Sequence, residues 1–324
     1  MKIDRVLIIN LKSLPAWHLD LATGFGQLGR NAEVFITTPQ TVVERFEKSV
    51  LGKKWFRSPA VLSRLVKHCH AFRPQAIIFL GMFVLPAETV ERLRSALKDL
   101  PLLCGWVCDC FREPQFEPFV RADHVFYFDT FLERVLPQHY PDQSQCTYLP
   151  LAANPDRYRP IVTVPFNQAL LFVGNVSANR AALLSKLSPA IKMEVHGPNA
   201  AGRTYNRRRK LNSDQINNLY NSHTAVLNIN QSPNTEHGAN LRVFEATAAG
   251  APLLTQACDD LAALYEPNVE VLPWSSTDDV VTAYQALVAN GKRTREMGAA
   301  GRRRTLAEHT FKHRAASIVK TLES

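Results

Sequence analysis

The chain has 324 residues, 46% of them hydrophobic and 21% charged, which is enough to bury a sizeable core and long enough for about two domains of ordinary size. No charge-free apolar run approaches the ~20 residues of a membrane helix, so a spanning protein and a disordered chain are both excluded. The formal charge of +9 points to a polyanionic partner: nucleotide phosphates, a nucleic acid or an anionic lipid surface.

Charges at Lys2, Asp4 and Arg5 leave the first apolar stretch too short for a secretory signal, and the expected compartment is the cytoplasm. The six cysteines then read as buried thiols rather than a disulfide framework. Short β-branched runs alternate with segments of helical period, the pattern of a parallel α/β sheet covered on both faces. In the first half the strands fall at residues 5–10, 33–37, 76–80, 102–108 and 124–128, with helices over 17–29, 60–72 and 88–97. Residues 149–166, "LPLAANPDRYRPIVTVPF", hold four prolines and no period, so a linker separates a domain over 1–150 from one over 167–324.

Beyond the linker, strands are expected at 169–174, 192–197, 225–230, 252–255 and 269–272, helices near 179–187, 213–220 and 240–248, and a helical tail over 278–322. Open α/β sheets bind ligands outside the carboxyl ends of their strands, so two doubly wound domains predict a cleft between two such rows. Four strand ends in the second half carry the suspects. After "LLFVG", Gly174 permits close backbone approach, Asn175 follows, and Arg180 lies in the first turn of the next helix; amides and guanidinium together suit a diphosphate, unless Arg180 is a surface residue. After "KMEVHG", Gly197 favours a tight turn where a base or sugar fits. After "AVLNIN", the small polar loop to Asn240 suits hydroxylated or anionic ligands.

The helix over 240–248 stops at Gly250 and turns Leu241, Phe244 and Ala248 to the sheet. Beside that stripe Glu245 can accept both hydroxyls of a ribose, while Arg242 pairs with it or points to phosphate; a structural ion pair is the plain alternative. Basic clusters at 203–210 and 292–304 are either a solvated face or part of a polyanion surface. No nucleic-acid motif accompanies them, so nucleic acid is not the expected partner. Basic residues around Leu306 and Phe311 give the tail two readings: contact with an anionic membrane, placing the protein at its inner face, or a helix packed back on the domains. His68, Cys69 and His70 form a small cluster, Cys108 and Cys110 flank Asp109, and His309 and His313 are four apart; none has the paired spacing of a zinc site, so no metal is expected.

The ordered set "FVGN", an arginine helix, "HGP", "LNSDQINNLYNSHTAVLNIN" and "GANLRVFEATAAGAPLLTQ", with "YLPLAANPDRYRP" in the linker, resembles the C-terminal half of GT-B glycosyltransferases, particularly the spore-maturation CgeB-like ones. The resemblance spans about 148–322. It implies two Rossmann-like doubly wound domains facing a cleft, a nucleotide-sugar as co-substrate with no other cofactor, and a carbohydrate, lipid-linked or protein acceptor. It also implies that Glu245 binds the donor ribose, that Arg180 and Arg242 face the diphosphate, and that backbone at Gly238, Ala239 and Asn240 meets phosphate or sugar. Related retaining enzymes have two glutamates eight residues apart; counting back from Glu245 gives His237, with Glu236 one residue off. A base, where one is used, belongs to the first domain: His18 and Asp109 are the candidates, each also readable as a cap or packing residue. A nucleotide-sugar epimerase, or a non-catalytic protein binding nucleotide-sugars or polyanions, fits the same fold.

Overall fold

The computed structural model describes all residues except 1, 11–15, 52–57, 82–84, 86, 98–100, 109–116, 118, 140–144, 163, 198–210 and 232–233. Two compact units emerge: Met1–Pro150 with Phe311–Ser324, and Leu151–Thr310.

In the first unit the chain runs β1 (Arg5–Asn10), α1 (Trp17–Gly26), β2 (Asn31–Ile36), α2 (Val42–Leu51), α3 (Pro59–Phe72), β3 (Ala76–Leu80), α4 (Ala87–Ala96), β4 (Leu102–Val107), β5 (His124–Tyr127) and β6 (Cys146–Tyr148). The six strands form one parallel sheet in the order β2-β1-β3-β4-β5-β6. Because helices cover parallel strands, these runs are apolar on consecutive residues: Ala76 to Leu80 is buried throughout. Leu7, Ile9, Ile77 and Phe79 meet Val61 and Leu65 of α3 and Val90 and Leu93 of α4 in one core. Ser58 caps α3 through the Val61 amide, with Pro59 at the first helical position.

The second unit runs β7 (Asn167–Val173), α5 (Ala178–Leu187), β8 (Met193–His196), α6 (Ser213–Ser222), β9 (His223–Asn228), α7 (Leu241–Ala248), β10 (Leu253–Gln256), α8 (Leu261–Leu264), β11 (Leu272–Trp274), α9 (Thr277–Ala289) and α10 (Gly291–Glu308). Its five strands are again parallel, in the order β11-β10-β9-β7-β8. The first strand of each unit is thus flanked by the second and the third, which places the reversal of strand order at β1/β3 and at β7/β9. Between the sheets, residues 151–166 carry no strand or helix among those described; Arg159 and Ile161 are tied to Asn217 and Asn221 of α6.

Several elements depart from the sequence reading. The helical tail is divided: α9 and α10 belong to the second unit, whereas α11 (Phe311–Glu323) belongs to the first, where it packs on α1. Its Ala315, Ile318 and Val319 are buried, and a side chain at Gly24 of α1 would stand 2.4 Å from the Phe311 carbonyl, so the two helices approach at backbone distance. The last strand lies at Leu272–Trp274 rather than 269–272, because Asn268 at φ 66° and a bridge between Pro267 and Val271 make a turn of the preceding residues. Helices α2 and α8 and the three-residue β6 are additions that the strand–helix alternation did not contain. Among the described residues no helix is long and apolar enough to cross a membrane. The described cysteines are free thiols; burial pushes that of Cys69 up to about 12, leaving it unreactive.

Candidate functional site

The reversal of strand order at β7/β9 is where an open parallel sheet leaves a crevice, and Arg180 occupies it. Its position in the first turn of α5 sends the side chain inward, where it is only 7% exposed. One guanidinium nitrogen donates to the Asn175 carbonyl after β7 (3.0 Å) and to Gln231 Oε1 after β9 (2.9 Å); the other donates to the Ile229 carbonyl. Arg180 therefore pins together the two loops that border the crevice. All three acceptors are neutral. Burial, and then the neighbouring charge of Arg242, push its pKa down to about 10, so it remains a cation at neutral pH.

Arg242 reaches the same place from α7. Both guanidinium groups lie over the Phe172 ring, at 5.7 Å for Arg180 and 5.4 Å for Arg242. Nη1 of Arg242 donates to Asn228 Oδ1 at 3.3 Å, and its Nη2 would be 2.6 Å from a side chain at Gly174. The Nε atoms of both arginines are buried without an acceptor among the described residues. Ser177, the residue before α5, makes no side-chain cap, so the first amides of that helix stay uncapped by its hydroxyl. Two adjacent cations beside a helix start are groups of the kind that suit an anion.

Around the cations the strand ends are polar. Asn228, fully buried, donates to Thr255 Oγ1 (2.9 Å) and Asn230 Oδ1 (3.2 Å); Asn240 also donates to Asn230 Oδ1, and Gln256 accepts from the Asn230 amide. Asn228, Asn230 and Gln256 were not among the expected site residues, while Gln231 opens the polar loop expected to take ligands. The signal was present, since asparagines close an otherwise apolar strand in "AVLNIN". A cavity of about 490 Å³ opens on this side of the sheet, lined by Ser177, Asn179, Arg180, Gln231, Glu236 and Gln256 among others. That volume is within the range of small-molecule sites.

The expected residues divide between this site and its frame. Asn240 caps α7 by accepting from the Arg242 amide, and Gly250 takes the positive φ expected after the helix. Helix α7 buries a wider face than expected, with Val243, Ala246 and Thr247 inside and Leu241 half-buried, because α10 covers it: Arg302 donates to the Ala248 carbonyl and Thr305 to Thr247. Glu245 is half-buried one turn after Arg242. It acts on the buried phenol of Tyr220, which burial and then the Glu245 charge push up while Arg242, hydrogen-bonded to it, pulls the other way. Tyr220, Arg242 and Glu245 are thus neighbours.

Gly238 and Ala239 are buried, and His237 lies 3.4 Å from Asp259 Oδ2; of the pair considered from sequence, Glu236 lines the cavity and His237 does not. Gly197 is accounted for by packing, since a Cβ there would stand 1.8 Å from the Gly174 carbonyl. In the first unit, His18 Nδ1 is 2.9 Å from Asn10 Nδ2 at the end of β1. Asp109 and the basic cluster at 203–210 lie outside the described residues. The second basic cluster is partly spent on structure: Arg302 as above, and Arg304 on the Leu264 carbonyl and Glu308. Phe311 is buried, as the packed reading of the tail requires. Among the described residues no group of histidine, cysteine and carboxylate side chains could hold a metal ion.

Residues 180–320 match a family described as glycosyl transferase-like. Among curated proteins none matches the chain by sequence. Solved structures match along nearly the whole chain. Sucrose-phosphate synthase from Thermosynechococcus elongatus aligns with a TM-score of 0.70 at 11% identity, over 99% of this chain and 98% of that one. AviGT4, a glycosyltransferase of avilamycin A biosynthesis, gives 0.66 at 16%, over 98% and 97%. HepE from Anabaena, in complex with UDP and glucose, gives 0.65 at 10%, over 98% and 99%. By its two parallel sheets the chain has the GT-B fold of these structures, and its similarity to the glycosyl transferase-like family spans residues 180–320.

Proposed function

We propose that this protein transfers a sugar from a nucleotide-diphosphate donor, with UDP as the first nucleotide to test, to a hydroxyl of a polysaccharide, glycolipid or protein glycan. The observation that carries the reading is the pair of cations at the β7/β9 crevice, Arg180 and Arg242, whose buried Nε atoms have no acceptor among the described residues and which stand beside the start of α5. In transfer, the acceptor oxygen bonds to the anomeric carbon, the bond from that carbon to the phosphate oxygen breaks, and its electron pair leaves on the diphosphate. Negative charge grows at the phosphate, and fixed cations and amides there stabilise the transition state more than the ground state. Such a site supplies without a metal the compensation a leaving diphosphate needs.

Glu245 accepts the ribose hydroxyls and the loop with Glu236, Gly238 and Asn240 takes the sugar side of the donor; HepE, of the same fold, was solved with UDP and glucose. If the reaction inverts, His18 or Asp109 removes the acceptor proton; if it retains, the leaving phosphate takes it on the front face. The closer kinship to CgeB-like enzymes rests on the sequence motifs alone. Incubation with UDP-glucose, with and without a mixture of sugar and glycolipid acceptors, tests the proposal. UDP release that requires acceptor is the expected result. Interconversion of the sugar without acceptor, or binding of every nucleotide-sugar without turnover, would replace it with an epimerase or a binding protein.

A further inference from the structure

Helix α2 is built inside out. Its acidic residues turn inward and are occupied: Glu44, 1% exposed, takes Arg64 at 2.7 Å and the Gln40 amide, and Glu47 accepts from Ser58 and the Ala60 amide. Its apolar residues turn outward. Val42, Phe46 and Val50, one turn apart, are 74%, 68% and 70% exposed, and Val43 beside them is 58% exposed. The stripe continues onto the sheet edge, because Arg64 joins Glu44 to the Ile36 carbonyl and Ile36 is itself exposed. Arg45 and Lys48 are also exposed.

An amphipathic helix ordinarily buries its apolar stripe against the core and shows its charges to water. Here the core-facing side is held by ion pairs instead, and a run of large apolar side chains stays in solvent, the mark of an interaction surface. Arg45 flanks the outward stripe while both carboxylates of the helix are withdrawn, which is the composition of a helix lying in the interface of an anionic bilayer. We propose that α2 is the surface by which the first unit docks on an anionic lipid membrane, with Val42, Phe46 and Val50 entering the acyl boundary and Arg45 meeting the headgroups. A protein partner for the same stripe would need acidic groups around an apolar groove; a second copy of this chain offers a net positive surface and is disfavoured.

Flotation of the full chain with vesicles tests this. Wild type is expected to float with phosphatidylglycerol-containing vesicles, to stay in solution with pure phosphatidylcholine, and to be released by high salt. The Phe46→Ser, Val50→Ser double variant and Arg45→Glu should each cut vesicle binding at least tenfold. Val162→Ser, at an apolar position in the second unit that is more exposed still, should leave it unchanged. Thermal stabilisation by UDP reads the other site and should persist in all of these variants, which separates failure here from failure of the glycosyl-transfer reading. The proposal is overturned if wild type ignores anionic vesicles, if the α2 variants float like wild type, or if sedimentation shows a dimer that the double variant abolishes.

Discussion

Each unit stacks arginine on a phenylalanine of its sheet, and the two arrangements do opposite things. In the first, Arg64 lies 4.4 Å over Phe35 and is answered by Glu44 at 2.7 Å. That pair closes on itself and fastens α2 and α3 to the end of β2. In the second, Arg180 and Arg242 share Phe172, and among the described residues Arg180 is answered by two carbonyls and an amide oxygen. An ion pair cancels its own field, whereas a cation held by neutral dipoles, as Arg180 is, keeps a positive potential at the strand ends. The same residue type is a rivet in one sheet and, in the proposed function, a binding group in the other, and its partner decides which.

The largest expected effect comes from pressing on the second arrangement. Gly197→Ala drives a methyl group into the Gly174 carbonyl, at a backbone angle unfavourable for alanine, and should cost about 3 kcal/mol in denaturant melts while abolishing UDP-dependent stabilisation. Next, Arg64→Met should cost about 2 kcal/mol, because a buried carboxylate loses its partner, yet leave UDP affinity unchanged. A loss of UDP affinity in that variant would break the comparison.

Glu44 also carries a pH signature. Burial alone would raise its pKa, but the hydrogen bonds from Arg64 and the Gln40 amide outweigh it and hold the carboxyl below its ordinary 4.5. A depressed carboxylate gives stability that is complete above the unfolded value and is lost as pH falls through the folded one. Melting of wild type should therefore decline more steeply below pH 4.5 than melting of Glu44→Gln. Smaller is the effect at Glu245. Wild type should bind UDP about tenfold more tightly than 2′-deoxy-UDP, about 1.4 kcal/mol, and Glu245→Gln should lose most of that preference. Smallest, Asn240→Ala removes the cap of α7 and should cost about 1 kcal/mol in stability.

The sheets were largely legible in the sequence because parallel strands buried on both faces are short apolar runs, and Arg5 to Asn10 and Ala76 to Leu80 read as such to the residue. What the pattern could not carry was partnership across distance. Helix α11 has an ordinary amphipathic face, and nothing local says that it seats on α1 beside Gly24 rather than on the helices before it. Arg180 was visible as a first-turn cation at a strand end; that it would clamp Asn175 and Gln231 together depends on β7 and β9 being neighbours. The strand-end asparagines went unread because they looked like mere strand termini. Helix α2 escaped for a different reason: its apolar residues serve no core.

The central claim is that Arg180 and Arg242 form the diphosphate site, and titration calorimetry of UDP, UMP and uridine against wild type and Arg242→Gln tests it most directly. The account predicts affinity falling stepwise from UDP to UMP to uridine in wild type, with the variant binding UDP at least tenfold more weakly and uridine unchanged. Equal affinity of wild type for UDP and uridine, or an Arg242→Gln variant that binds UDP as wild type does, would contradict it.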